Sequence, residues 1–177
     1  TYIDTAYPYH DGESEPFVGR VLKKYKRENF YLATKLPMFK IDSLEQAKEI
    51  FEEQMKRLDI DYVDFYLLHA LNKDTWKKVI DLNIIPYCEE LKKQGRIKNF
   101  GFSFHDDYEV FEEIINYRDW DFCQIQLNYI DTDIQAGMKG YKLTEEKNVP
   151  LVIMEPIKGG ALASLSDDIE QVFTDYN

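Results

Sequence analysis

Short apolar runs alternate with segments of helical period from one end of this chain to the other, and few folds accept that order. The runs are "YID" (Tyr2 to Asp4), "FYLATK" (Phe30 to Lys35), "YVDFYLLH" (Tyr62 to His69), "IKNFGFS" (Ile97 to Ser103), "FCQIQL" (Phe122 to Leu127) and "LVIM" (Leu151 to Met154). Between them, Phe17, Val18, Val21, Leu22 and Tyr25 predict a helix from about Glu15 with Ser14 as its N-cap. Leu44, Ala47, Ile50, Phe51, Met55 and Leu58 predict a second, capped near Ser43. Further helices are expected from Val79 to Gln94, ended by Gly95, and over 107–117 and 134–147. Alternation of this kind implies parallel strands. An open doubly wound sheet would carry a Gly-rich turn after its first strand, and the one glycine pair, Gly159-Gly160, follows the last run instead. The expected fold is therefore α/β, a (β/α)8 TIM barrel. Residues 1–177 form a single domain that covers about six βα units, a partial barrel. The chain opens inside an expected strand without a methionine, and a full barrel takes about 250 residues. It reads as a piece of a longer chain, with two strands elsewhere.

The composition, 44% hydrophobic and 31% charged over 177 residues, suits one real core. A net charge of -11 argues against nucleic acid or an anionic membrane surface as partner. No apolar run reaches the roughly 20 residues of a membrane span, and the N-terminus has no signal-peptide pattern. Two cysteines are too few for a disulfide scaffold or a zinc site, so the cytoplasm is the expected compartment. Cys123 is expected to pack in a strand and Cys88 on a helix. Trp76 and Trp120 are expected to pack, and the acidic runs to be solvated helix faces. Nothing in the sequence sets an oligomeric state.

In parallel barrels the chemistry sits at the C-terminal ends of the strands. The runs here close on Asp4, Lys35, His69, Ser103, Gln124 with Gln126, and Glu155, all of them polar. Each has a bland reading as a snorkelling lysine, a satisfied histidine, or a turn or loop partner. An acid, a base, an imidazole, a hydroxyl and an amide around one mouth make a poor structural rim, because burying such groups is costly unless they are paired. Asp106 and Asp107 read as capping acids, and His10 and His105 as exposed.

"DTAYPYHDGESE", "ATKLP", "LLHAL", "GFSFH" and "CQIQLNY", in that order, resemble the aldo-keto reductases over the whole length. "LLHALNKDTW" and "IMEPIKGG" are most like a bacterial branch whose members often carry a Cys-rich iron-sulfur segment after the barrel. Any such cluster would lie beyond Asn177. The resemblance implies an oxidoreductase that moves hydride between NADPH or NADH and a small aldehyde or ketone. Its catalytic tetrad would be Asp4, Tyr9, Lys35 and His69. Tyr9 would be the general acid for the developing alkoxide, Lys35 the cation that favours its phenolate, Asp4 the anchor of that ammonium, and His69 the donor that orients the carbonyl. Ser103 and Gln124 would grip the nicotinamide carboxamide, with Asn128 a weaker candidate. Met154 stands where the family often has a stacking aromatic, and Phe104-His105 where it often has Asn after the serine. Pro156 to Gly160, with Gly159 in it, would bring backbone amides toward the pyrophosphate, a plain left-handed turn being the competing reading.

Two other readings compete. A metal-assisted barrel lyase or isomerase would bind a divalent ion through Asp4, His69 and Glu155, and Lys35 argues against it by repelling a metal. A nucleotide-binding sensor or accessory subunit would keep the barrel with little turnover. The isolated 177-residue piece, with two unpaired strand edges, is expected to be inactive and prone to association.

Overall fold

The structure is a computed structural model that describes residues 1–164 and 171–172. Among the described residues six strands, β1 (Tyr2–Asp4), β2 (Tyr31–Leu36), β3 (Val63–Leu71), β4 (Ile97–Phe104), β5 (Phe122–Gln126) and β6 (Leu151–Met154), pair in sequence order. Every pairing is parallel. The helices between them are α1 (Ser14–Leu22), α2 (Leu44–Leu58), α3 (Lys73–Asp81), α4 (Ile84–Lys93), α5 (Tyr108–Tyr117) and α6 (Gly137–Glu146). The sheet curls far enough that Gln124 on β5 hydrogen-bonds Asp4 on β1, across three intervening strands. The result is a half-barrel, as the alternation predicts.

Strand period two divides the core in two. Outward-facing Leu36, Tyr66, Leu68, Phe100, Phe102, Phe104, Cys123 and Ile125 pack against the helices, with Trp76, Cys88 and Trp120 in the same layer. Inward-facing Ala33, Leu67 and Phe122, with Phe65 and Val152, fill the lower interior. The Phe65 and Phe122 rings meet edge to face at 5.1 Å. Gly101 makes room for that pair, since a Cβ there would lie 2.4 Å from the Phe122 carbonyl oxygen and 2.7 Å from its ring.

Three local expectations are corrected. The single helix expected from Val79 to Gln94 is two, broken at Asn83, whose φ of 55° is left-handed. Pro86, which lacks an N–H and cannot sit mid-helix, then falls in the first turn of α4, where no intrahelical partner is needed. Ser14 does not cap α1. The 3-10 turn Tyr9–Gly12 runs straight into the helix, and the Ser14 hydroxyl bonds Thr5 Oγ1 at 2.8 Å. β3 continues past His69 to Leu71, with a register shift between Leu68 and Leu71 and Ala70 at φ 52°. Ser43 does cap α2, accepting from Gln46 N at 3.2 Å. Among the described residues no helix is long and apolar enough to cross a membrane.

Candidate active site

The polar residues that close the strands converge at the C-terminal mouth. Lys35 points inward from β2 and is 1% exposed, so its charge must be met by protein groups. Asp4 meets it from β1 as an ion pair. Lys35 Nζ also donates to the Thr5 carbonyl at 3.0 Å and to the Tyr9 hydroxyl at 3.3 Å. Tyr9 remains 38% exposed, and its ring lies edge-on to His69 at 5.7 Å. The four residues of the expected tetrad thus form one cluster.

Backbone strain fixes Tyr9. His10 and Asp11, directly after it, hold left-handed φ values of 52° and 55°, and Gly12 follows at 89°. Each such non-glycine residue costs on the order of 1 kcal/mol or more and persists only where its surroundings enforce it. The β3 irregularity does similar work for His69. With Ala70 left-handed, its N–H turns to the Ser103 hydroxyl at 2.8 Å, locking the ends of β3 and β4 together.

His69 is mostly buried, and its Nδ1 has no partner. Burial, then the neighbouring Lys35 charge, lowers its pKa to about 4. At neutral pH it is an uncharged imidazole with one N–H to donate. Phe39 covers its other side at 5.7 Å.

Behind Lys35 lies a buried network without an obvious sequence signal. Glu15 on α1 accepts from Thr34 Oγ1 at 2.5 Å and from Gln54 Nε2 at 2.7 Å, with Arg57 at 3.4 Å. Gln54 on α2 also donates to the Lys35 carbonyl at 3.0 Å and accepts from Tyr66 OH at 2.8 Å. Burial pushes the Glu15 carboxyl up, against the pull of those donors. The network clamps the outer face of β2 and so sets where Lys35 leaves the strand.

The residues expected at a cofactor divide. Ser103 and Gln124 face the interior beside the tetrad. Ser103 Oγ accepts from Ala70 N, which leaves its proton to donate. Gln124 Nε2 donates to Asp4 Oδ2 at 2.8 Å and to the Tyr2 hydroxyl at 3.3 Å. Met154 ends β6, half-buried. Asn128 is spent on its own loop: Oδ1 accepts from Ile130 N and Asp131 N, and Nδ2 donates to Asp131 at 3.0 Å. Pro156 and Gly159 lie exposed in the turn after β6, where Gly159 has φ 64° and nothing crowds its Cα. Lys158 of that turn pairs with Asp131 at 2.8 Å, tying the loops after β5 and β6. No group of three or more His, Cys, Asp or Glu among the described residues could hold a metal ion. Asp4, His69 and Glu155 are not brought together as such a group.

The model of the aldo/keto reductase family matches residues 1–176. The chain belongs to that family. Among curated relatives of this aldo/keto reductase, the NADH-specific methylglyoxal reductase of Escherichia coli K12 is 26% identical over 90% of the chain and 53% of its own length. An aldo-keto reductase from Bacillus halodurans, solved in its holo form, superposes with a TM-score of 0.73 at 29% identity, over 94% of this chain and 56% of that one. An aldo-keto reductase from Klebsiella pneumoniae in complex with NADPH shares the fold, with a TM-score of 0.68 at 24% identity over 99% and 61%. The chain thus spans about half the length of the curated relative.

Proposed function

We propose that this aldo/keto reductase is an oxidoreductase that reduces a small aldehyde or ketone with NADPH or NADH, and that Tyr9 is its general acid. The observation that carries the reading is one cluster: the exposed Tyr9 hydroxyl lies 3.3 Å from a buried ammonium that Asp4 pairs, beside a neutral imidazole. When bound, the nicotinamide supplies hydride to the carbonyl carbon. Tyr9 donates the proton that the resulting oxygen needs, and Lys35 stabilises the phenolate left behind. Asp4 holds Lys35 in place. His69, uncharged, donates its N–H to the carbonyl oxygen and orients it without competing for the proton.

The donor set fits the cofactor. Ser103 has a hydroxyl proton to give a carboxamide, Gln124 an amide on the same wall, and Met154 a thioether to pack on a ring face. The open left-handed turn from Pro156 to Gly159 leaves backbone amides accessible to a pyrophosphate. Asn128, spent on its loop, shapes that rim rather than touching the cofactor. The unpaired, buried thiols of Cys88 and Cys123 support a reducing compartment such as the cytoplasm.

The test is oxidation of NADH and of NADPH by the full-length protein, with methylglyoxal first because a relative bears that substrate in its name, then other small aldehydes and ketones. Tyr9→Phe should bind nucleotide normally and lose about a thousandfold in kcat. A wild-type protein that binds nucleotide but turns over nothing would replace this reading with the nucleotide-sensor one.

A further inference from the structure

We propose that Tyr2 is a positioning residue of this site, acting on the reaction through Asp4; the inference rests on the reduction proposed above. The Asp4 side chain is 30% exposed, so the Lys35 ion pair alone leaves it room to swing. Its two oxygens are divided. Oδ1 takes the Lys35 ammonium, while Oδ2 accepts from the Tyr2 hydroxyl at 3.1 Å and from Gln124 Nε2 at 2.8 Å. Two residues apart on one strand, Tyr2 and Asp4 share the inner face. The Tyr2 ring is braced edge-on against Phe65 at 5.5 Å, itself packed on Phe122. Burial, then the Asp4 charge, raises the Tyr2 phenol, so it stays a donor throughout the working range of pH.

The reason Tyr2 matters lies in Gln124. That side chain is also a candidate grip on the nicotinamide carboxamide, and both of its N–H groups are already used, on Asp4 Oδ2 and the Tyr2 hydroxyl, so gripping a carboxamide through Nε2 means releasing one of them. When Gln124 turns to a bound cofactor, Tyr2 is the donor left on Asp4 Oδ2. It keeps the carboxylate, and through it Lys35 Nζ, aimed at the Tyr9 hydroxyl. The titratable and charged groups facing Asp4 are Tyr2 on its own strand, Tyr9 on the following turn, Lys35 on β2 and His69 on β3.

The experiment is Tyr2→Phe in the full-length protein, which keeps the ring and removes one hydroxyl. We expect kcat to fall about tenfold, in line with loss of one hydrogen bond to a charged group, and the pH–rate profile to shift, while KM for the carbonyl changes less than about twofold. In an Asp4→Asn background the same change should be silent, because its effect travels through that carboxylate. Tyr31→Phe removes a hydroxyl from another ring packed on Phe65 and should leave kcat and its profile unchanged. A Tyr2→Phe protein with wild-type kcat and profile, or one that loses the same factor in both backgrounds, overturns the inference. Full turnover by Tyr9→Phe would instead overturn the reduction chemistry beneath it.

Discussion

Two carboxylate–cation pairs stand at opposite ends of the strands, and they do opposite things. At the N-terminal ends of β2 and β3, Arg27 bonds Asp64 at 2.5 Å and the carbonyls of Phe30 and Tyr62. The rings of those two residues lie 4.9 and 4.1 Å from its guanidinium carbon. Asp64 also accepts from Leu32 N at 2.8 Å. Arg27 Nε is buried without a partner, but the cluster lies at the end of the strands away from the mouth. At the C-terminal ends, Lys35 and Asp4 are as well paired, yet their cluster ends in an exposed Tyr9 hydroxyl and a His69 Nδ1 with no partner. The difference teaches that pairing a buried charge does not by itself mark structure or function. Both networks contain a buried nitrogen without a partner; what sets the upper one apart is a hydroxyl left exposed at its end, where a substrate can reach it.

The comparison can be broken by substitution. Lys35→Met should cost about a thousandfold in kcat with a smaller loss of stability than the lower pair shows, because the stranded Asp4 is 30% exposed and keeps its bonds from Tyr2 and Gln124. A large loss of stability with ordinary turnover would make the upper pair structural too. Asp64→Ala should do the reverse. Stranding Arg27 should remove about 3 kcal/mol of unfolding free energy in a denaturant titration, while kcat of the folded protein stays within about twofold.

A finer test uses pH. His69 titrates near 4 in the folded protein against an ordinary 6.5, so between those values the unfolded chain binds more protons. Stability is therefore complete above pH 6.5 and is lost as pH falls toward 4, by about 3 kcal/mol in all. His69→Asn should flatten that slope in urea midpoints taken from pH 7.5 to 4.5. Glu15, whose carboxyl is raised, works in the opposite direction, and being common to both proteins it drops out of the difference.

Much of this was legible. Strand order, parallel pairing and the inward aim of Lys35, His69, Ser103 and Gln124 follow from apolar runs, period two and the rule that barrel chemistry sits at strand C-termini. The helix break at Asn83 had a signal too, in a proline three residues on, but the apolar period carried through it and masked the break. Tyr2 was readable as the inner-face neighbour of Asp4, two residues away. The buried Glu15–Gln54 network was not, since a glutamate in a first helical turn and a glutamine in an amphipathic helix look like ordinary surface residues.

The sequence by itself determined the alternation, and with it a parallel half-barrel whose polar strand ends share one mouth, because periodicity and strand direction are local properties that propagate. Only the tertiary structure decided which side chains spend their hydrogen bonds on each other. Asn128 folded onto its own loop and Gln124 reached across the interior to Asp4, 120 residues away in the chain. A side chain's partner is set by the curl of the sheet and by what else is within 3 Å, and neither is written in the residues that flank it.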